Sequence, residues 1–284
     1  MSVGASKIIY CLSPIERVEW RVSKMKLEIK NATLENLEHL VNLCIPQDRK
    51  NDPLFLKGFN EKKRWAAKAF QKYGAFAKVA YVNAMPAGLI QYQPVPEEKI
   101  VSIDCIVVPE RDNLRKGIGK SLLKALIEDA NKPNPIFNGD SALALVTWAF
   151  QVPERYPQHE FYQKMGFKRV REDDPFLLYY PLKKGYVYRP KEKKYVAQEE
   201  DKGKALVFYD PSCPFSIYFS EKIKESLREV APNIQIRMIN RFEEEEEVKK
   251  RGQTPACAVN GKPIQTFFLE KEGFQKEVKQ ALKS

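Results

Sequence analysis

Apolar residues recur along the chain with two periods. Strand-like alternation or short apolar runs fall at residues 26–29, 75–82, 87–93, 100–108, 142–146, 167–170 and 176–182. Between them the apolar positions step by three and four, the spacing of a helix. Thr33 is the expected N-cap of a helix over residues 34–43, which places Leu34, Leu37, Val41 and Cys44 on one face. Asn60 is the expected cap of a second helix ending at Tyr73. Residues 121–130 form a third, with Leu122, Leu123, Leu126 and Ile127 sharing its buried side. A fourth ends at Met165 and is closed by Gly166. Strands interleaved with helices predict an α/β class with a mixed sheet.

Residues 183–204 break this rhythm. They are rich in charge, carry Gly185, Pro190 and Gly203, and show little period, which reads as a connection between domains. A second series follows: a strand over 205–209, a helix to 229, a strand over 234–239, and a helix over 243–251. A hairpin turning at Asn260-Gly261 and a last helix over 271–282 complete it. The expected division is an N-terminal extension over 1–25, a first domain over 26–185, a linker over 186–203 and a second domain over 204–284. The extension matches no clear element, and Met25, followed at once by a strand, is a second candidate start.

Composition narrows the function classes. The chain has 284 residues, 43% apolar and 30% charged, enough to bury real cores and typical of a globular protein. No apolar run is long enough to span a membrane and no signal-peptide pattern stands out, so the expected place is the cytoplasm, with no membrane partner. A net charge of +11 raises the question of nucleic acid, but the basic residues are spread along the chain and no such partner is expected. Five cysteines without a C-x-x-C pair, and two histidines, match neither a zinc site nor a disulfide framework. No metal is expected.

The stretch with the clearest chemistry is Arg115-Lys116-Gly117-Ile118-Gly119-Lys120-Ser121. It joins the apolar run 103–108 to the third helix. Two glycines let the backbone approach a ligand, and the first-turn N–H groups of the helix face an anion there. Arg115, Lys116 and Lys120 add positive charge, so the site suits a pyrophosphate. It lacks the spacing of the two common nucleotide-binding signatures.

The short K-G-I-G after a strand resembles motif A of the GNAT acetyltransferases. Further on, Phe161-Tyr162-Gln163-Lys164-Met165-Gly166-Phe167 resembles the F-Y-x-K-x-G-F segment that follows motif A in that family. The chain departs from the pattern at Leu114, where the family usually has Arg or Gln. The resemblance covers residues 26–185 and implies an acyl-CoA N-acyltransferase fold, with acetyl-CoA as co-substrate. It further implies that a primary amine of a small molecule or peptide attacks the thioester directly. It assigns Tyr162 as the acid near the CoA sulfur. The pantetheine falls to main-chain groups of Ile106, Val107 and Val108, and the pyrophosphate to Arg115 through Ser121. The attacking amine must be neutral, so a base is needed. Asp104, on the central strand, and Glu110, just past it, are the candidates. Simple alternation puts Asp104 on the face of Ile106 and Val108, opposite Cys105, which is expected to be a small core residue. The segments 46–59 and 147–158 are the expected pocket walls.

In the second domain the element order, Cys213 at the first strand-to-helix turn and Thr254-Pro255 before a strand resemble the thioredoxin and glutaredoxin fold. The resemblance implies a cis-proline at Pro255. Cys213-Pro214-Phe215-Ser216 has serine where a dithiol enzyme has its second cysteine. A helix N-terminus lowers a thiol pKa, so Cys213 is expected to hold some thiolate, with Cys257 a conceivable resolving partner. The run 243–247 is expected to be a solvated helix face. A GNAT domain followed by such a module resembles the YoaP-like acetyltransferases. An alternative stays open, in which Cys213 carries a thiol or interaction function and the CoA site is regulatory or lost. A homodimer is also left open.

Overall fold

The computed structural model describes residues 25–150, 156–191 and 194–283. The expected N-terminal extension therefore lies outside the described residues, apart from Met25.

Strand β1 (Leu27–Asn31) opens a seven-stranded sheet. Helices α1 (Leu37–Asn42) and α2 (Pro53–Tyr73) follow, then β2 (Ala77–Val82), β3 (Met85–Val95) and β4 (Ile100–Val107). Helix α3 (Ile118–Ala130), β5 (Ala144–Trp148), α4 (Gln158–Lys164), β6 (Lys168–Arg169) and β7 (Leu177–Pro181) complete the first unit. The strand order is β1-β2-β3-β4-β5-β7-β6, and β4–β5 is the parallel pair in an otherwise antiparallel ladder.

Each face of this sheet has its own core. Helix α3 lays Leu122, Leu123 and Leu126 on one face beside Ile103, Ile106 and Tyr162. Helices α1 and α2 cover the other with Leu37, Leu40, Val41, Trp65, Ala66 and Ala69 against Val79 and Leu89.

Both early helices start elsewhere than expected. Asn36, not Thr33, organises the entry to α1: its Oδ1 accepts the Thr33 N–H at 2.7 Å and its Nδ2 donates to the Asn31 carbonyl at 3.0 Å. Leu34 is left 67% exposed ahead of the helix. Helix α2 starts at Pro53, with Asp52 accepting the Leu54 N–H at 2.9 Å. Proline at the first helical position and aspartate before it are the stronger start signal. Asn60 is an interior residue of the same helix.

The second unit runs β8 (Lys204–Tyr209), α5 (Pro214–Val230), β9 (Gln235–Asn240), α6 (Glu245–Arg251), β10 (Cys257–Val259), β11 (Lys262–Pro263) and α7 (Lys271–Leu282). Its sheet order is β11-β10-β8-β9, with β8 and β9 parallel. No cis peptide bond occurs among the described residues, so the cis-proline expected at Pro255 is not found. Arg251 and Asp201, 0% and 1% exposed, form a two-point ion pair that ties the end of the charged connection to α6. The start of that connection packs on the first unit, where the Tyr188 hydroxyl donates to Glu98 at 2.8 Å.

The two units touch along α2 and α5. An atom added as Cβ at Gly58 would lie 2.8 Å from Pro214 Cα, so the glycine lets the helices meet backbone to backbone. Phe55 is buried with its ring centroid 5.0 Å from those of both Phe215 and Tyr218. Phe242 reaches Trp65 and Tyr73 further along. Lys57–Glu221 (2.5 Å), Lys68–Glu243 (2.6 Å) and Lys72–Glu245 surround this apolar contact. Two of the five glutamates at 243–247 therefore cross the interface, which corrects the expectation of a purely solvated face. Exposed pairs contribute at most about 1 kcal/mol each, so the rings and the close helix approach dominate.

Candidate active site

Strands β4 and β5 run parallel only from Ile100↔Ala144 to Ile103↔Thr147. Beyond that point β4 continues to Val107 held by β3 alone, and the sheet opens into a cleft. Ile106 and Val107 line its β4 side, and Val108 follows them. The chain then turns through Glu110 and Leu114 into the basic stretch. Arg115 and Gly117 both have left-handed backbones (φ 60° and 79°), and Gly117 caps α3. The Ser121 N–H bonds back to the Gly117 carbonyl at 2.9 Å. The N–H groups of Ile118, Gly119 and Lys120 belong to the helix's first turn, which has no intrahelical acceptor for them. Nothing lies within 4 Å of a Cβ built at Gly117. Arg115, Lys116 and Lys120 are exposed around this end. The result is an open, positively charged helix N-terminus at the mouth of the cleft.

Tyr162 sits at the crotch of the cleft. It is 1% exposed and shares a hydrogen bond with the Thr147 side chain, whose Oγ1 donates to the Ile103 carbonyl at 3.1 Å. Burial, followed by the nearby Cys105, pushes the phenol pKa far up, so it keeps its proton and is a donor. The α4 residue before it, Phe161, comes within 3.5 Å of the Cβ position of Gly119 and so borders the α3 end of the cleft.

On the other face, β3 and β4 contain a bulge. Tyr92 pairs with Ile103 and Gln91 with Cys105, leaving Asp104 unpaired between them. The extra residue shifts the alternation. Ile103 and Ile106 both enter the α3 core, while Asp104 turns to Gln91 and Gln93. The expectation that Asp104 shares a face with Ile106, opposite Cys105, is thereby corrected. Burial, then the charge of Asp210, pushes the Asp104 pKa up to about 8 against hydrogen bonds from Gln91 and Gln93 and the charge of Lys62. Glu110, the other candidate base, lies on the surface, where it accepts from Gln47 at 3.3 Å.

Residues 46–167, from the turn before α2 to the end of α4, match the model of the acetyltransferase (GNAT) family. The chain carries a GNAT acetyltransferase domain. Among solved structures it is similar to a PaiA N-acetyltransferase from Thermoplasma acidophilum in complex with coenzyme A. The identity is 16%, the coverage 55% of this chain and 99% of that one, and the TM-score 0.40. It is similar also to an N-acetyltransferase from Staphylococcus aureus Mu50 (18%, 56% and 99%, TM-score 0.40). A third is a GNAT family acetyltransferase from Brucella melitensis in complex with acetyl-CoA (14%, 59% and 94%, TM-score 0.39). No curated protein matches the chain.

The acetyltransferase domain holds more chemistry on the α2 side of its cleft than the sequence motifs point to. Lys62, 2% exposed on α2, donates to Gln91 Oε1 at 2.7 Å and to Cys44 Sγ at 3.0 Å. Burial alone lowers a lysine pKa; here the sulfurs of Cys44, Cys213 and Cys105 outweigh it and hold Lys62 above its usual value. Gln91 also bonds Asp104, so a chain of contacts runs from α2 through β3 to the bulge. Asp104, Cys105 and Cys213 are each only partly buried. Cys105 is therefore not a closed core residue, and burial raises its thiol pKa.

Cys213 belongs to the second unit, at its contact with α2. It is the N-cap of α5, followed by the Pro214 that touches Gly58, and Lys62 lies one turn further along the same face of α2. Burial raises its pKa, opposed by Lys62 and a backbone hydrogen bond from Ser216. The depressed pKa expected for a helix N-terminus is thus overridden by desolvation. Cys257 is 2% exposed in the second unit's own core, with its pKa pushed up to about 12 by burial. The sulfurs that influence Cys213 belong to the acetyltransferase domain. Among the described residues no group of side chains is arranged to hold a metal ion, and no helix is long and apolar enough to cross a membrane.

The sequence motifs point to neither Lys62 nor Gln91. The signal for both was present: a lysine at the apolar spacing of Gly58, Ala66 and Ala69, and a glutamine inside the apolar run of β3. A polar residue on a buried stripe asks for a partner.

Proposed function

We propose that the chain is an acetyl-CoA-dependent N-acetyltransferase acting on a primary amine of a small molecule or peptide. The observation that carries this reading is the cleft between β4 and β5, with the Tyr162 hydroxyl at its crotch and the free end of α3 at its mouth. The residues present suit the co-substrate. Gly117, Ile118, Gly119, Lys120 and Ser121 would receive the pyrophosphate on backbone N–H groups, with Arg115 and Lys116 supplying charge. The unpaired edge of β4 at Ile106 and Val107, and Val108 beyond it, would hold the pantetheine. Bound there, acetyl-CoA supplies an activated acyl carbon.

The amine then approaches from the α2 side, where Asp104 lies. An ionised Asp104 takes the ammonium proton and frees the lone pair. Its raised pKa makes it a base matched to mildly alkaline conditions, where a carboxylate of ordinary pKa is too weak. Tyr162, held protonated by burial, donates to the departing sulfur. Glu110 is better suited to the surface, where it binds Gln47.

We read the second unit, with its β8-α5-β9 and β10-β11-α7 halves and Cys213 capping α5, as a thioredoxin-like module. The division into residues 26–185, 186–203 and 204–284 fits the contacts on either side of the connection. The thiol-only alternative calls for a low-pKa cysteine, and burial of Cys213 speaks against it. Incubating the full chain with acetyl-CoA and a panel of amines, and detecting N-acetyl products by mass spectrometry, tests the reading. Products that vanish in Asp104→Asn and Tyr162→Phe are expected. Absence of any product, with acetyl-CoA intact, overturns it.

A further inference from the structure

Helix α2 has lysines in two kinds of setting. Lys57, Lys63, Lys68 and Lys72 stand on its surface, each paired with a glutamate. Lys62 is 2% exposed, and its Nζ donates to Gln91 Oε1 at 2.7 Å and to Cys44 Sγ at 3.0 Å. A buried cation needs partners, and here the direct ones are an amide oxygen and a sulfur in place of a carboxylate. Cys44 lies just past α1 and is only partly buried, which leaves this residue open to a small oxidant. A cation beside a thiol favours the thiolate, the form that oxidants attack. The sulfenic acid so formed condenses with a nitrogen held against it. Cys44 and Lys62 are 18 positions apart, and the segment between them contains Phe55 and Gly58, through which α2 meets the second unit.

We propose that Cys44 and Lys62 form an oxidative cross-linking site, at which hydrogen peroxide joins Cys44 Sγ to Lys62 Nζ through a covalent S–N bond. The sulfur, as the thiolate, attacks one peroxide oxygen; the S–O bond forms, the O–O bond breaks and hydroxide leaves. That hydroxide takes a proton from the Lys62 ammonium and becomes water. Nζ, with its lone pair freed, then bonds Sγ. The S–O bond breaks, and the hydroxyl departs with a second nitrogen proton as another water. The sulfur is oxidised by two electrons, and the peroxide is reduced to two waters. The reaction needs nothing bound in the cleft between β4 and β5, so it is separate from acetyl transfer. The bond closes the chain between the end of α1 and the middle of α2 and fastens the segment that carries Phe55 and Gly58. Like other cross-links it restricts the unfolded state.

The test treats the full chain with hydrogen peroxide and reads intact mass, non-reducing peptide maps and thermal melts. A product lighter by about 2 Da, the loss of two hydrogens, is expected, with the peptides of Cys44 and Lys62 recovered as one joined species. A disulfide loses the same two hydrogens, so the peptide map decides between them. Dithiothreitol is expected to part the peptides and restore the mass. The joined chain is expected to melt at a higher temperature than the reduced one. Cys44→Ser, which exchanges only the sulfur, should show neither the joined peptides nor the rise in melting temperature. Mapping is done on the unaltered protein, so the result does not depend on a variant folding. Cys44 recovered unmodified, as a sulfinic acid or in a disulfide with another cysteine overturns the inference. A bridge to Lys62 that retains an oxygen overturns it as well.

Discussion

Gly58→Ala gives the sharpest account of how the two units are joined. In an open helix position this change stabilises by about 1 kcal/mol, because glycine is the poorer helix former. At Gly58 the new carbon would lie 2.8 Å from Pro214 Cα and 3.0 Å from Pro214 Cβ and the Pro214 carbonyl oxygen. Carbon atoms pack best at about 3.5–4.0 Å, so α2 and α5 must part by about 1 Å. Overpacking of this kind costs about 1–3 kcal/mol. The two effects combine to a net change between about zero and 2 kcal/mol in the destabilising direction. The parting also moves Cys213, the residue before Pro214, away from α2 and exposes it further. Denaturant unfolding of the full chain measures the first effect, and timed iodoacetamide labelling with peptide mapping measures the second. Faster labelling of Cys213 with equal or lower stability is expected. A protein stabilised by about 1 kcal/mol, with Cys213 labelling unchanged, refutes the close approach.

Four further outcomes follow from the same contacts. Because Asp104 must be ionised to act, turnover is expected to rise as pH passes through about 8, and Asp104→Asn should remove that limb from the pH–rate profile. The same raised pKa makes the folded state hold a proton that the unfolded chain releases, so this group's contribution is complete below the usual aspartate pKa and lost as pH climbs to about 8. Asp104→Asn should therefore flatten a decline in stability across that interval, read by thermal melts at several pH values. Tyr162→Phe should lower kcat on the order of a hundredfold or more while costing about 1 kcal/mol of stability, from one lost hydrogen bond; an unchanged kcat removes Tyr162 from the chemistry. Arg251→Leu should cost about 3–5 kcal/mol in denaturant unfolding, because it strands the buried Asp201 carboxylate.

What could be read from the sequence was local in character. Arg115 to Ser121 and Phe161 to Phe167 are contiguous, and their meaning depends on a turn, a helix start and a short spacing. The strand and helix types followed because the cores on either face of the first sheet impose their period on β2, β3, α2 and α3. The bulge at Asp104 was hidden because it is a property of two strands. Only by counting Gln91 and Tyr92 against Cys105 and Ile103 does the extra residue show, and it reverses the side on which Asp104 is found. The starts of α1 and α2 were misplaced because Thr33 and Asn60 are good caps in isolation, whereas Asn36 and Asp52 have the backbone partners. The joint between the units was the least legible part. Gly58 and Pro214 meet because two amphipathic helices dock, and no local pattern marks which of their exposed faces will do so. The environment of Cys213 follows from that joint. A helix N-terminus by itself lowers a thiol pKa, yet burial raises this one.

The central claim is that the end of α3 binds acetyl-CoA. Calorimetric titration of acetyl-CoA into the full chain, Gly117→Ala and Gly117→Glu tests it most directly. The alanine variant shares the strain of a side chain at φ 79°, about 1–2 kcal/mol, without adding charge. A Cβ there meets nothing within 4 Å, so both variants should fold. Binding to the parent chain, retained in weakened form in Gly117→Ala and abolished in Gly117→Glu, is the predicted result. Equal affinity in all three chains, or no binding to the parent, contradicts the account.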